Sequence, residues 1–279
     1  MLPMTSQEKN ESVLLYMIIE HYNCGFFSCF NVTLYKIMEH YNKYNSLPET
    51  VDTSGTYDMY KINHNDITYD FFQHYGSRNI TFDNKPVTNC DNDWGFQCHN
   101  YKNIQYNEIL PFIQKYFFPS DKIMNIQNEL ILKYNLNFDK CIAMYYRGTD
   151  KSSETPIDSF DSFYNKLLEV IRNDQCTDLK IIVQTDSAQF LEFVKLKKDN
   201  IIVIVENTVS YTNRGIHNEK SRAENYTDML YFLSTVLILS KCKHILCSSG
   251  NVSIAIMFYR FLFRNSIENI HQNYNLEWL

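Results

Sequence analysis

The residues with the clearest chemical potential are Tyr145-Tyr146-Arg147-Gly148-Thr149-Asp150-Lys151, which follow directly on the apolar run Cys141 to Tyr146. A guanidinium at a strand end points into a cleft, where its planar fork of donors can grip diphosphate oxygens in a bidentate fashion. A departing nucleoside diphosphate gains negative charge in the transition state. A cation already in position therefore accelerates the transfer without a metal. The plainer alternative is a structural Arg147–Asp150 ion pair, and composition alone favours it.

Glycine is scarce in this chain, with seven in 279 residues, so its positions carry information. Gly25, Gly148 and Gly250 each follow a predicted strand and precede a predicted helix. In an open parallel sheet those are the carboxyl-end loops, where ligands bind. Glycine there allows a positive φ and a close approach of backbone to phosphate. Any one of the three is explained equally well as an ordinary loop glycine; three in equivalent places are less easily dismissed.

The elements that must position these residues alternate. Ser12 to Glu20 is continuously apolar at its centre, as a buried parallel strand is. Leu34, Ile37, Met38 and Tyr41 have helical spacing, which predicts a helix from Asn31 to Tyr44 with Asn31 as its N-cap. Glu49 to Asp52 is a short strand candidate, residues 53 to 102 are polar and irregular, and Tyr106 to Phe117 and Ser120 to Tyr134 read as helices, with Ser120 capping the second. Beyond residue 135 the pattern predicts strands at Cys141–Tyr146, Leu179–Gln184, Ile201–Val205 and His244–Cys247. Helices are predicted at Asp158–Asn173, Ser187–Leu196, Tyr226–Ser240 and Ser253–Phe263. Strand and helix in alternation imply a parallel, doubly wound α/β sheet. Two such halves, residues 1–135 and 136–279, predict two Rossmann-like lobes facing a cleft.

Hydrophobic residues make up 44% of the chain and charged residues 21%, which fits a globular protein with a sizeable core. The net charge of −6 argues against nucleic-acid or anionic-membrane partners, since both need clustered Lys and Arg. Met1 to Asn10 is polar, which predicts no signal peptide, and the longest apolar run, Tyr226 to Leu239, is too short and too polar to span a bilayer. Eight cysteines without a Cys-x-x-Cys pair predict reduced thiols and a cytoplasmic location. The one Asp-x-Asp triplet, Asp91-Asn-Asp93, falls in the irregular region and does not stand out as a metal site.

Arg147-Gly-Thr-Asp-Lys151 resembles the His-x-Arg-x-Thr/Gly-Asp motif of the fucosyltransferase superfamily that includes core α1,6-fucosyltransferases and rhizobial Nod-factor fucosyltransferases. Further similarities follow in order: Val183-Gln-Thr-Asp186, Ser210-Tyr-Thr-Asn-Arg-Gly-Ile-His217, and Leu239 to Val252 with its Cys247-Ser-Ser-Gly250 end. Together they span residues 141 to 256; the first half is similar only in general plan.

The resemblance implies a GT-B fold and a nucleotide-sugar donor, GDP-fucose first, held mainly by the C-terminal lobe. It also implies a glycan or glycoconjugate acceptor and no metal cofactor. By the same resemblance Arg147 and Lys151 meet the diphosphate, Asp186 accepts hydrogen bonds from the nucleotide, and Ser248, Ser249, Gly250 and Asn251 offer donors to phosphate just before a helix. His217 is a further binding candidate. Asp186 reads equally well as an N-cap, and His217 as an exposed loop histidine. Inverting transfer needs a general base, for which the resemblance points to Glu154, one position early, with Asp150 as rival.

The chain departs from the family at two places. Tyr145 stands where the family has His, and Thr235 stands where it has a guanine-reading Asp, the nearest carboxylate being Asp228. The open alternatives are a transferase for another nucleotide sugar and a nucleotide- or glycan-binding module without turnover. An oxidoreductase is disfavoured because no Gly-x-Gly-x-x-Gly follows a strand.

Overall fold

A computed structural model describes residues 16–20, 24–63, 66–73, 80–82, 85–88, 100–153, 155–174, 178–198, 200–205, 208–212 and 215–273. Two parallel sheets carry the fold. The smaller pairs β1 (Tyr16–Ile18) with β2 (Thr50–Asp52). The larger has five strands in the order β5-β4-β3-β6-β7: β3 (Cys141–Tyr146), β4 (Lys180–Thr185), β5 (Ile201–Val203), β6 (His244–Ser248) and β7 (Ile270–Asn273). Every pairing in it is parallel. The chain moves outward from β3 through β4 to β5, then returns to the other side of β3 with β6. The carboxyl end of β3 is therefore a topological switch point, the place where open α/β sheets bind ligands.

All six residues of β3 are buried, and they divide by parity. Cys141, Ala143 and Tyr145 join one hydrophobic cluster, and Ile142, Met144 and Tyr146 the other, as a period of two requires for a strand covered on both faces. The smaller cluster lies under α5 (Phe160–Asn173) and α6 (Ala188–Lys197). The larger is covered by α1 (Phe26–Tyr44), α3 (Tyr106–Tyr116), α4 (Asp121–Tyr134), α7 (Arg222–Lys241) and α8 (Asn251–Arg264), and a single turn, α2 (Thr68–Phe71), adds Phe71. It runs unbroken from Ile19 to Ile270, so the two halves of the sequence share one core.

α7 is the helix at the centre of that core. Leu233 to Ser240 are all buried, so this stretch lacks a polar face, as a helix enclosed on all sides does. Ser221 caps it and Glu224 completes the capping box. No described helix is long and apolar enough to cross a membrane.

The predicted elements are present with shifted ends, and two predictions need correction. α1 begins at Phe26 with Gly25 as its N-cap, so Asn31 lies inside the helix instead of capping it. Asn31 is buried, and its Nδ2 donates to Asn251 Oδ1 at 2.7 Å, tying α1 to the start of α8. Asp186 is not the cap of α6 either; Ser187 is, its Oγ accepting from Phe190 N at 3.2 Å.

Candidate functional site

Three strand ends meet at the switch point. β3 delivers Arg147, β4 delivers Asp186, and β6 runs into Ser249 and Gly250. A cavity of about 490 Å³ opens there, with walls from both halves of the chain. Cys24 to Ser28, Met59 and Tyr60 come from the first half. The second half contributes Arg147, Asp150, Lys151, Gln184, Asp186, His217, Lys220, Asp228 and Ser249 to Val252, among others.

Arg147 lines the cavity with about a quarter (24%) of its side chain exposed, and it is also ion-paired. Its Nη2 donates to Asp150 Oδ1 at 2.6 Å and its Nη1 contacts Asp186 Oδ2. The two readings of the sequence are thus not exclusive: the Arg147–Asp150 pair exists, and it stands in the wall of a cavity.

Asp186 fastens the loop around Arg147. It is buried, Gly148 N donates to its Oδ1 at 2.7 Å, and Thr149 Oγ1 donates to its Oδ2 at 2.6 Å. Gly148 serves by its lack of a side chain: a Cβ there would lie 3.0 Å from Ser187 Cβ. The positive φ falls instead on Thr149, at +44°, a value that a β-branched residue adopts only under strong local constraint. Arg147 N donates to Ser248 Oγ at 3.2 Å, joining the ends of β3 and β6.

At the end of β6, Gly250 has φ +130° and ψ 176°, a region open in practice to glycine alone, and α8 starts at the next residue. Gly250, Asn251 and Val252 line the cavity. The first N–H groups of a helix have no partner within it and form an anion site.

His217 also lines the cavity, and its backbone oxygen accepts from Asn225 Nδ2 at 2.8 Å. A Cβ on Gly215 would sit 3.2 Å from both Asp150 Oδ2 and His217 Nε2, so the carboxylate and the imidazole both flank Gly215. Burial lowers the pKa of His217; Asp150 opposes the shift and Arg147 adds to it.

Lys151 is buried and lines the same cavity, and Asp228 lines it in an ion pair with Lys220. Thr235 does not reach the cavity. It is fully buried in α7, and its Oγ1 donates to Tyr231 O at 2.9 Å. Asn225, Asp228, Met229 and Phe232 present the cavity-facing side of α7, and Thr235 is the next turn, already inside the core. Glu154 and Asp91-Asn-Asp93 lie outside the described residues. Among the described residues no group of three or more His, Cys, Asp or Glu side chains is placed to hold a metal ion.

Tyr145 and Gln184 also line the cavity. Tyr145, where the family motif has His, is buried with its pKa pushed up to about 12 by burial, and it faces the cavity. Gln184 is 1% exposed; its Nε2 donates to Thr208 Oγ1 at 2.7 Å, while its buried Oε1 has no hydrogen-bond partner among the described residues. A buried acceptor left open in a cavity wall suits a ligand N–H or O–H. Its signal in the sequence was its place beside Thr185-Asp186 at the end of a strand.

No family model matches this chain, and no curated protein matches it by sequence. Solved structures do match. The fucosyltransferase NodZ from Bradyrhizobium, as its selenomethionine form, aligns over 89% of this chain and 92% of its own, with a TM-score of 0.52 and 13% identity. A crystal of NodZ α-1,6-fucosyltransferase soaked with GDP-fucose aligns over 88% and 92%, with a TM-score of 0.54 and 12% identity. At such identity the match speaks to architecture: this chain has the α/β, parallel-sheet fold of these GT-B-like fucosyltransferases.

Proposed function

We propose that the chain is a glycosyltransferase that moves a sugar, with fucose from GDP-fucose the leading choice, from a nucleoside diphosphate to a glycan or glycoconjugate acceptor. The observation that carries this reading is Arg147 at the carboxyl end of the central strand, in the wall of a 490 Å³ cavity that also holds the Gly250 turn at the start of α8. A diphosphate seated there meets a guanidinium held by two carboxylates and the N-terminus of a helix. Both are fixed before charge develops, which is how preorganised donors lower a barrier. The solved relative soaked with GDP-fucose has the same architecture.

In this reading residues 136–279 hold the nucleotide, residues 1–135 form the acceptor side, no divalent cation takes part, and the protein works in the cytosol. Arg147, Lys151, Ser248, Ser249, Gly250 and Asn251 take the diphosphate. Asp186 acts mainly by orienting Arg147. Glu154 and Asp150 are the proposed bases, and Asp150 Oδ2 and His217 Nε2 both lie beside Gly215. Asp228 with Lys220 reads the base in place of Thr235: a carboxylate takes the N1–H and amine of guanine while an ammonium donates to O6.

The burial of Thr235 favours a second reading, a transferase for a different nucleotide sugar. Melting-point shifts with GDP, UDP, CDP and ADP separate the two, because a ligand that binds only the folded state raises the melting temperature. GDP should give the largest shift. A larger shift with another nucleotide removes guanine and leaves the transferase, whereas no shift with any of them removes the nucleotide site. Turnover is tested with Arg147→Ala, which should lower transfer or donor hydrolysis by on the order of 100-fold; a rate near that of the parent protein excludes the role given to Arg147.

A further inference from the structure

Cys24 precedes the N-cap Gly25 of α1, and Cys29 is the fourth residue of that helix. These are the N′ and N4 positions, whose side chains pack against one another across the first helical turn in a hydrophobic staple. Here the staple consists of two sulfurs, with Sγ to Sγ 3.3 Å. Both cysteines are free thiols. A disulfide bond is about 2.05 Å long, so the sulfurs have to close by little more than an ångström.

The two thiols differ in access. Cys29 is 1% exposed and belongs to the large core, whereas Cys24 is half-buried and lines the 490 Å³ cavity. A small solute entering the cavity meets Cys24 first and has Cys29 directly behind it. Exposed attack and buried resolution is the arrangement of a reversible dithiol.

The remaining described cysteines supply the contrast. Cys141 and Cys242 also interact through their side chains, but both are fully buried and neither lines the cavity. Cys247 is sealed in the same core, and burial pushes its pKa up to about 12.

We infer that Cys24 and Cys29 form a redox-active dithiol in the cavity wall, which a hydroperoxide converts to a reversible intramolecular disulfide. The Cys24 sulfur attacks one peroxide oxygen, the O–O bond breaks, and Cys24 becomes a sulfenic acid as the second oxygen leaves to form water. The Cys29 sulfur then attacks the Cys24 sulfur and displaces its oxygen, which leaves as a second water. The balance is two thiols and one hydrogen peroxide giving one disulfide and two waters; the sulfurs together lose two electrons, and both protons end in water. The two thiols share one hydrogen bond in which either sulfur can be the donor, so the proton between them can rest on Cys29 while the cavity-facing Cys24 carries the negative charge. The pair thus starts with one labile proton between two touching sulfurs, and thiolate is the reactive form. This assignment stands apart from the transferase reading, because it is read from sulfur chemistry alone.

The full-length protein is treated with a small excess of hydrogen peroxide, any remaining thiols are alkylated, and the peptides are mapped by mass spectrometry without reduction. The expected result is a peptide linking Cys24 to Cys29, absent after dithiothreitol, with Cys141 and Cys242 still alkylatable as separate thiols once the protein is denatured. In Cys24→Ser the link cannot form, and Cys29 should stay reduced at the same peroxide dose, because its access runs through Cys24. Cys24 and Cys29 both remaining thiols while other cysteines oxidise would overturn the proposal. So would Cys24 passing to sulfinic acid without the link. Linking of Cys141 to Cys242 at the same rate would overturn it as well, since oxidation would then report unfolding.

Discussion

The backbone N–H of Gly148 donates to Asp186 Oδ1 across 2.7 Å, fastening the loop that carries Arg147 to the end of the neighbouring strand. The other oxygen of the same carboxylate receives Thr149 Oγ1 and contacts the Arg147 guanidinium. One buried side chain therefore sets the loop backbone, its strained residue and its cation.

Removing that charge should be costly. In Asp186→Asn one oxygen becomes an amide donor facing Arg147, so that ion pair is lost and the part-buried guanidinium keeps Asp150 as its carboxylate partner, with Thr149 Oγ1 as a neutral acceptor. Breaking a buried pair from one side costs about 3 kcal/mol or more, and denaturant unfolding should show a loss of that order. A change under 0.5 kcal/mol would mean that the loop holds itself without Asp186.

The two site glycines should fail for different reasons. A Cβ on Gly250 meets nothing within 4 Å, so Gly250→Ala costs only the backbone strain of φ +130°, about 1–3 kcal/mol. Gly148 does not have a positive φ, but its Cβ would press on Ser187 Cβ at 3.0 Å. Gly148→Ala should therefore be partly rescued by Ser187→Gly, which removes the opposing atom at a capping cost of a few tenths of a kcal/mol, whereas Gly250→Ala should not be. Unfolding free energies of the two single variants and both doubles decide this; equal rescue of both would refute the distinction.

β3 was legible from end to end, because a strand buried on both faces is a plain apolar run that ends where the cation begins. β7 was missed: Ile270-His-Gln-Asn273 is an edge strand with one apolar residue, and edge strands do not need the pattern. The start of α1 was placed five residues late because Asn31 is a good cap by type, yet here it is recruited by Asn251, 220 residues away. Arg147, Asp150, Asp186, His217 and the Gly250 turn, marked in the sequence by strand ends and motif order, and Asp228, marked as the carboxylate nearest Thr235, all line one cavity. Thr235 was misplaced because the helical face it shares with Asp228 and Phe232 passes from cavity into core within one turn, which no local pattern records.

The pH dependence of stability follows from His217. Burial holds its pKa below the usual imidazole value of about 6.5, with Arg147 adding to the shift and Asp150 opposing it. As the pH falls, the unfolded chain takes up this proton near pH 6.5, whereas the folded chain does so only at lower pH. Between those points the unfolded state binds more protons, so acidification destabilises the fold; the contribution is complete above about pH 6.5 and is lost below it. His271 has the same sign, lowered chiefly by burial and further by His244 and Lys166, so each histidine supplies only its share. Melting temperatures of the parent protein from about pH 7.5 to 5.5 should fall, and those of His217→Gln and His271→Gln should each fall less. If His217→Gln loses stability as steeply as the parent, the imidazole titrates alike in both states, and the neutral group drawn into the cavity wall at neutral pH is not there.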